Sequence, residues 1–334
     1  ITVVGVLVLI QQLFLRPTSV EISEDDPQGM FSSIEAQLEA AKIKDEVKYT
    51  LEGIHYTSIE GGKKQSEMTA TEAVVYDKTN LFVAENVKMK MFDPTEKSTD
   101  IDGKRAYFKM GTKEMDIEND VKVTFPDGFW IKTEKVHYSA ADQRVTSQEP
   151  FYGESIPQKG ITDHMKVWGT GFLGSKLSSD VYILKNSHAV IRHDGNAEIT
   201  DVRSDQAKIN RFTRQTEFTM NQPTSFVETL QGTLNIKSRR QDATYDTKES
   251  QLKYMTAWDD VTINETDAKK LSEGMKYATC QKAEFHTKQN KILLSGFPSV
   301  YQDNDTVTGE VITIYRDTNI VEVTEANAYH DGAR

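Results

Sequence analysis

The feature that most constrains this fold is a pattern of short alternating segments that recurs along the chain. In each copy, a segment that starts with alanine precedes a second apolar segment and then a segment that starts with valine; copies begin at Ala73, Ala106, Ala243 and Ala283. Apolar and polar residues alternate within the segments, and a period of two is typical of half-buried antiparallel strands. Repeats of this kind stack on their neighbours and share one continuous inner face. The sequence therefore predicts an all-β repeat architecture.

Turn residues separate the alternating segments, for example at residues 61–62, 126–128, 194–195 and 317–319. The rhythm breaks between residues 155 and 200, and repeated units resume beyond that stretch. We therefore predict two copies of one β-module, at residues 47–193 and 194–334. Residues 17–46 are predicted to form a tether, with a short helix within 33–46, where helix-forming residues cluster.

The first residues differ from the rest of the chain because residues 1–15 carry no charge and are mostly valine, leucine and isoleucine. A helix needs about 20 apolar residues to cross a bilayer. The chain starts at Ile1 without a methionine, so we interpret residues 1–16 as an N-terminally incomplete transmembrane anchor. A signal peptide is the alternative, but no small-residue cleavage motif follows. The positive-inside rule would then place the acidic body outside the cytoplasm.

Composition and motifs argue against several classes of function. A formal net charge of −11 argues against binding to nucleic acid, whose phosphates attract basic surfaces. Cys280 is the single cysteine, which permits no internal disulfide and no thiolate metal cluster. The scattered histidines form no metal-binding motif, and no nucleophile-elbow motif occurs. We therefore predict no catalytic residue, no metal and no cofactor. Paired carboxylates of a solenoid-type polysaccharide enzyme stay open as an alternative.

Two segments of the C-terminal half carry a family resemblance. Residues 283–300 run through an alanine-led segment, a turn, a leucine strand, a glycine and a valine strand, and residues 308–315 continue with glycine and Ile-x-x-Tyr. This pattern resembles the OstA-like repeats of the lipopolysaccharide-transport bridge family, which includes LptA, LptC and the N-terminal domain of LptD. The N-terminal half resembles LptC, with an anchor, a tether, one module and a late Gly-x-Gly at residues 169–171. A usual LptC has one module, so the whole chain resembles an LptC with an additional LptA/OstA-like module.

The resemblance implies tandem twisted β-jellyroll modules, in which two antiparallel sheets enclose an open V-shaped groove, behind an N-terminal transmembrane helix. It also implies a single-pass inner-membrane protein with its bulk in the periplasm. Such a bridge component receives lipopolysaccharide from the inner-membrane ABC transporter LptB2FG and passes it along the groove toward the outer membrane. The chain has no Walker A phosphate loop, so the energy would come from the transporter. The alternative is a membrane-anchored structural or adhesive β-repeat protein.

Alternation assigns one set of apolar side chains to the inward face of each module. These residues would line the groove of a lipid carrier, and in an ordinary sandwich they would form a closed core. The first module contributes Val75, Leu81, Val83, Val87, Met89, Met91, Phe108, Met115, Ile117, Val121, Val123 and Phe125. The second module contributes Tyr245, Leu252, Val261, Ile263, Phe285, Ile292, Leu294, Ile312 and Ile314. Methionine suits a groove because its flexible thioether adapts to differing chains.

The terminal strands are the second candidate feature. The resemblance implies that modules join end to end by strand pairing, and an exposed strand edge recruits another strand. The last strand, near residues 318–324, is the predicted edge for an LptA or LptD jellyroll. The first strand, near residues 47–51, would meet the transporter. Alternatively, both are terminal strands that loops cap.

Overall fold

The structure is a computed structural model of the chain. It describes residues 47–76, 80–93, 95–109, 111–126, 128–155, 164–175, 180–192, 199–210, 213, 215–221, 226–245, 252–266, 277–302, 305–318 and 320–330. The predicted anchor at residues 1–16 and the predicted tether and helix at residues 17–46 lie outside these ranges. Within them, no helix has the length and apolar character that crossing a membrane requires.

The described residues form antiparallel strands joined by turns and one short 3-10 helix, Thr287–Gln289. The all-β prediction is therefore confirmed. The strands are β1 Val47–Glu60, β2 Lys63–Tyr76, β3 Leu81–Phe92, β4 Ser98–Lys109, β5 Glu114–Thr124, β6 Phe129–Ser139, β7 Arg144–Ser155, β8 His164–Ser175, β9 Asp180–Arg192, β10 Ile199–Ser204, β11 Gln206–Asn210, β12 Gln215–Thr219, β13 Val227–Gln231, β14 Leu234–Ser238, β15 Arg240–Tyr245, β16 Leu252–Glu265, β17 Tyr277–His286, β18 Lys291–Ser295, β19 Ser299–Gln302, β20 Asp305–Thr308, β21 Val311–Tyr315, β22 Ile320–Thr324 and β23 Asn327–His330.

The chain forms two compact units. The first comprises Ile1–Val123 and Glu134–Val145, and the second comprises Thr124–Thr133 and Thr146–Arg334. The predicted division into modules at residues 47–193 and 194–334 stays a prediction.

In the first unit, strands β1 to β4 form an antiparallel meander in which each strand pairs with the next along the chain. Left-handed residues interrupt these long strands at Gly53 (φ 63°) and Asn86 (φ 53°). The Asn86 amide donates a hydrogen bond to Thr71 Oγ1 at 3.1 Å, on the neighbouring strand. A short polar side chain that bonds locally makes the left-handed conformation tolerable. The interruption shifts the alternation by one residue, so Ala84 and Val87 are both buried.

In the second unit, the long strands contribute to two half-sheets. We call half-sheet A the ladder formed by residues 187–192 of β9, β10, β13, β14, residues 261–265 of β16, residues 277–280 of β17, β19, β20 and β23. Half-sheet B is the ladder formed by residues 180–183 of β9, β11, β12, β15, residues 252–258 of β16, residues 282–286 of β17, β18, β21 and β22.

The strands cross between the half-sheets at a row of residues with positive φ. Asn186, Asp259, Asp260 and Gly296 all have positive φ at these crossing points. The bend at Asp259 and Asp260 is held by Arg239, whose Nε lies 3.1 Å from Asp260 Oδ2. Each bent strand therefore places one apolar stretch on each half-sheet, and the core lies between them.

Candidate functional site: the apolar interior and the terminal edges

The interior of the second unit contains a hydrophobic cluster that draws on both half-sheets. In half-sheet A, Ile263 lies opposite Ala278. In half-sheet B, Leu294 lies opposite Ile312, and Ile292 lies opposite Ile314. The predicted inward residues of this module that are buried here are Leu252, Val261, Ile263, Phe285, Ile292, Leu294, Ile312 and Ile314. The backbone of Tyr245 pairs with Leu252.

Polar as well as apolar side chains form contacts between the two half-sheets. Gln241 of half-sheet B donates to the carbonyl oxygen of Val227 in half-sheet A at 3.3 Å. The hydroxyl of Thr229, also in half-sheet A, donates to the Gln241 side-chain oxygen. All three residues are buried. An occupant of this interior therefore has to displace side-chain contacts between the half-sheets.

The interior of the first unit is rich in methionine. Met68 on β2 lies opposite Met89 on β3, which in turn lies opposite Ile101 on β4. The predicted inward residues that are buried in this unit are Val87, Met89, Met91, Met115, Ile117, Val121 and Val123, and Phe125 is buried in the second unit. Val75 and Phe108 are half-buried.

Leu81 and Val83 do not take the inward position that unbroken alternation predicts. Val83 is half-buried and precedes Ala84, which is fully buried opposite Ala106. Successive side chains of a strand point to opposite faces, so Leu81 and Val83 lie on the face opposite Ala84. The left-handed Asn86 is the physical reason, because it inverts the alternation between the two halves of β3.

Sequence reasoning missed several interior residues. In the second unit these include Leu234, Ile236, Met255 and Ala257, all in the hydrophobic cluster. A further set lies between the segments that the repeat pattern marked: Phe151, Val167, Phe172, Val181, Ile183, Ala189, Ile191 and Val202. The alternation of residues 181–183 and 189–191 was a usable signal for part of this set, since both stretches place apolar residues two apart.

Strands with exposed apolar side chains lie near both ends of the described chain. The prediction that residues 318–324 form the last strand is wrong, because β23 follows β22 and pairs with β20. In β1, Val47 is 56% exposed and Tyr49 is 48% exposed. At the other end, Ile320 is 52% exposed and Val321 is 42% exposed, both in β22. Among the described pairings, β1 pairs with β2 and β22 pairs with β21. One edge of β1 and one edge of β22 therefore have no described partner.

The most chemically suggestive polar group is a buried ion-pair cluster in the first unit. His137 Nδ1 lies 2.7 Å from Asp116 Oδ1, and Lys135 Nζ lies 3.4 Å from Asp116 Oδ2 and 3.1 Å from Glu118 Oε1. Asp116 and His137 are both buried, so this geometry supplies a buried carboxylate with the partners that its burial requires.

Two further observations bear on reactive chemistry. Among the residues that the structure describes, no group of three or more histidine, cysteine or acidic side chains could hold a metal ion. Burial raises the pKa of the Cys280 thiol to about 12, and Cys280 lies in the core of the second unit. A thiol with such a pKa is a poor nucleophile at neutral pH.

Comparison with known proteins assigns both parts of the chain. Residues 25–155 match the family described as lipopolysaccharide-assembly, LptC-related. Residues 201–320 match the family described as LptA/(LptD N-terminal domain) LPS transport protein. No curated protein sequence matches the chain.

One similar solved structure is the crystal structure of LptH, the LptA homologous periplasmic component of the conserved lipopolysaccharide transport device from Pseudomonas aeruginosa. The sequence identity is 14%, the TM-score is 0.34, and the match covers 40% of this chain and 95% of that one.

Proposed function

From the premise that this chain belongs to the lipopolysaccharide-transport proteins, as an LptC-related part followed by an LptA-like part, we propose that it is a periplasmic bridge component. It receives lipopolysaccharide from the inner-membrane transporter LptB2FG and passes it along its apolar interior toward the outer membrane. The observation that carries this proposal is the apolar interior of each unit, which lies between bent strands and holds most of the predicted inward residues.

The interior suits reversible binding of acyl chains. Burial of each methylene group contributes about 0.8 kcal/mol to affinity. The half-sheets touch in the second unit, so an entering chain replaces existing side-chain contacts and the net gain per methylene is smaller. This weaker net binding suits a lipopolysaccharide carrier, because the bound lipid has to be released to the next component of the bridge. Met68, Met89 and Met115 assist in the first unit because methionine side chains repack easily.

Photo-crosslinking tests the path of the lipid. We would place a photo-reactive residue at Val87, Val123, Leu252 or Leu294, all of which are buried. Cells that make lipopolysaccharide should yield lipid adducts at these positions. The exposed neighbour Lys253 is the matched control, because it follows Leu252 in β16 and points to the opposite face.

The result that would refute the interior path is a lack of adducts at all four buried positions, in cells where an established bridge protein does crosslink. Adducts of equal yield at Lys253 and Leu252 would also count against it, since they would indicate non-specific contact with the outer surface.

We further propose that β1 and the edge strand β22 join the bridge. The edge of β1 would meet the periplasmic module of the transporter, and the edge of β22 would pair with an LptA or LptD jellyroll. The support is the exposure of apolar side chains on both strands, since an open strand edge is a template for another strand.

The orientation of β22 permits a sharp test. The backbone N–H of Glu310 donates to the carbonyl oxygen of Thr324 at 2.9 Å, so Thr324 turns its polar groups toward β21. Backbone polar groups alternate in direction along a strand. The backbone N–H and C=O of Glu322 therefore point toward β21, and those of Val321 point toward the open edge. Proline at Val321 removes an N–H that only an added strand would use.

We therefore expect Val321→Pro to abolish assembly with an LptA or LptD jellyroll while the isolated chain keeps its thermal midpoint. Glu322→Pro, one residue further along, removes an N–H directed at β21 and should lower the thermal midpoint. Pull-down of the partner jellyroll and circular dichroism measure the two effects. Intact assembly of Val321→Pro would refute pairing at this edge.

The remaining parts of the proposal concern the N-terminal region. Residues 1–16 serve as the membrane anchor of a single-pass inner-membrane protein, residues 17–46 as its tether, and the two modules at residues 47–193 and 194–334 lie in the periplasm. The support is the uncharged apolar run at the start of the chain. Alkaline extraction of inner membranes tests it: release of the protein from the membrane would contradict the anchor.

A further inference from the structure

Two polar side chains lie on the core face of half-sheet A, in the mostly apolar interior of the second unit. Thr200 on β10 is 3% exposed, and Gln231 on β13 is 4% exposed. They lie directly opposite each other in the ladder between β10 and β13. The flanking positions in the same row are apolar, because Thr200 also lies opposite Ile191 and Gln231 also lies opposite Leu234.

Both residues hold polar atoms that the described residues leave without a hydrogen-bond partner: Thr200 Oγ1 and Gln231 Oε1. A buried polar atom without a partner costs about 1–3 kcal/mol, so each such atom calls for a physical explanation, and a bound group is one of them. The buried hydroxyl oxygen of Thr233, in the turn that follows Gln231, is also unpartnered among the described residues. The polar atoms are therefore concentrated where β13 turns into β14.

The adjacent row shows that this fold can satisfy such groups internally. Thr229 lies two residues from Gln231 on the same face, and its hydroxyl bonds to Gln241 across the interior. Thr229 and Gln241 thus form a complete pair of the same residue types as Thr200 and Gln231. The two rows differ because the unpartnered oxygen atoms of Thr200 and Gln231 can still form hydrogen bonds to a ligand.

The chemistry of the two atoms selects the ligand group. A threonine hydroxyl donates and a glutamine side-chain oxygen accepts. Directly opposite residues of an antiparallel ladder have Cβ atoms about 4.5–5.5 Å apart, so one small group can reach both. A hydroxyl satisfies both, since it accepts from Thr200 and donates to Gln231. A carbonyl would satisfy Thr200 alone.

We propose that Thr200 and Gln231 form a polar subsite within the lipid path, which binds a hydroxyl group carried on the acyl chain of the lipid. This inference rests on the proposed function, because it requires an acyl chain in the interior of the second unit. The subsite makes the carrier selective for hydroxylated chains over plain ones, and it holds the chain at a defined depth.

The test compares the binding of tetradecanoic acid with that of hydroxytetradecanoic acids that carry the hydroxyl at different positions. Displacement of a fluorescent fatty acid from the purified full chain gives each affinity. The wild-type chain should bind at least one hydroxylated isomer about five- to tenfold more tightly than the plain acid. In the double variant Thr200→Val/Gln231→Met, this preference should fall to within about twofold, while the affinity for the plain acid is retained or increased.

A matched control is Thr262→Val, on the outer face of β16 between the buried Val261 and Ile263. It should leave the preference unchanged. The urea midpoint of the double variant should equal or exceed that of the wild type, because the variant removes buried polar atoms without partners.

Three outcomes would overturn the inference. No preference for any hydroxylated isomer in the wild type would show that the subsite holds only water. An unchanged preference in the double variant would show that the hydroxyl binds elsewhere. If the urea midpoint of that variant also fell, the role of Thr200 and Gln231 would be structural. Binding of the plain acid without any preference leaves the proposed function standing, whereas failure of every acid to bind would contradict both.

Discussion

Truncation of Leu294 to alanine tests how tightly the interior of the second unit is packed. Leu294 is 0% exposed. It lies between Ala283 on β17 and Ile312 on β21, both of which are also fully buried. A hydrogen-bonded ladder on either side of Leu294 leaves little scope for collapse, so the substitution should create a cavity.

The expected loss has two parts. Removal of three carbon groups at about 0.8 kcal/mol each forfeits about 2.4 kcal/mol of transfer free energy. The cavity adds to this, and Leu→Ala substitutions in packed cores cost about 2.7–5 kcal/mol in total. We therefore expect the free energy of unfolding of the second unit to fall by about 3–4 kcal/mol.

The chain provides a selective probe for this measurement. Its 3 tryptophans, Trp130, Trp168 and Trp258, all belong to the second unit. Tryptophan fluorescence during urea unfolding therefore follows that unit alone. With a urea dependence of about 2 kcal/mol per molar, the midpoint should fall by about 1.5–2 M.

Leu293→Ala is the matched control, because Leu293 is the same residue type on the opposite face of β18 and is half-buried. It should cost about 1 kcal/mol or less. A loss at Leu294 no larger than that at Leu293 would refute the argument that the half-sheets pack on each other. If acyl chains use this interior, excess tetradecanoic acid should restore part of the stability of Leu294→Ala, by about 2.7 kcal/mol at a hundredfold excess over Kd.

Three other predictions concern single residues. The Cys280 thiol, whose pKa burial raises to about 12, should not react with a thiol reagent at pH 8 in the folded protein. The hydrogen bond with His164 lowers the pKa of Glu154. The carboxylate's contribution to stability should therefore be lost as the pH falls below the ordinary pKa of 4.5. In Glu154→Gln, the thermal midpoint should depend less on pH in that range. Gly103→Ala should destabilise the first unit by about 1–3 kcal/mol in thermal unfolding followed by circular dichroism, because the added Cβ would lie 2.3 Å from Ile117 Cγ2.

Each of these predictions has a control. Urea-unfolded protein should react at Cys280, and equal reactivity in the folded state would contradict its burial. Glu149→Gln, at an exposed position of β7, should leave the acid dependence unchanged. Gly111→Ala places a Cβ in open space and should be neutral, so an equal effect at Gly103 and Gly111 would contradict a steric cause.

The strands themselves were predictable because a period of two in the sequence directly reports a half-buried strand. Residues 121–124 and 312–314 alternate as the pattern requires, and the structure places both stretches in strands. The inward face was less predictable, as Val83 shows. Alternation counted back from the buried Val87 would place Val83 inward, but the left-handed Asn86 between them puts Ala84 inward instead. An asparagine in a sequence does not reveal that conformation by itself.

The polar subsite was not predictable at all from alternation. Thr200 and Gln231 are polar residues in strands, so a pattern-based assignment places them outside. The structure places them inside because the register of β10 against β13 aligns them with Ile191 and Leu234. Only the ladder reveals that alignment, since it joins residues that lie far apart in the chain.

The resemblance of the sequence to the lipopolysaccharide-transport family was confirmed by the family comparisons. The sequence by itself determined the all-β class and the repeated strands. Local alternation and turn chemistry are enough for these, because they act over a few neighbouring residues. The tertiary structure decided which face of each strand is buried and where the half-sheets touch. The physical reason is that left-handed residues such as Asn86, Asp259 and Asp260 reset the alternation within a strand, and only packing between half-sheets determines which side chains then meet.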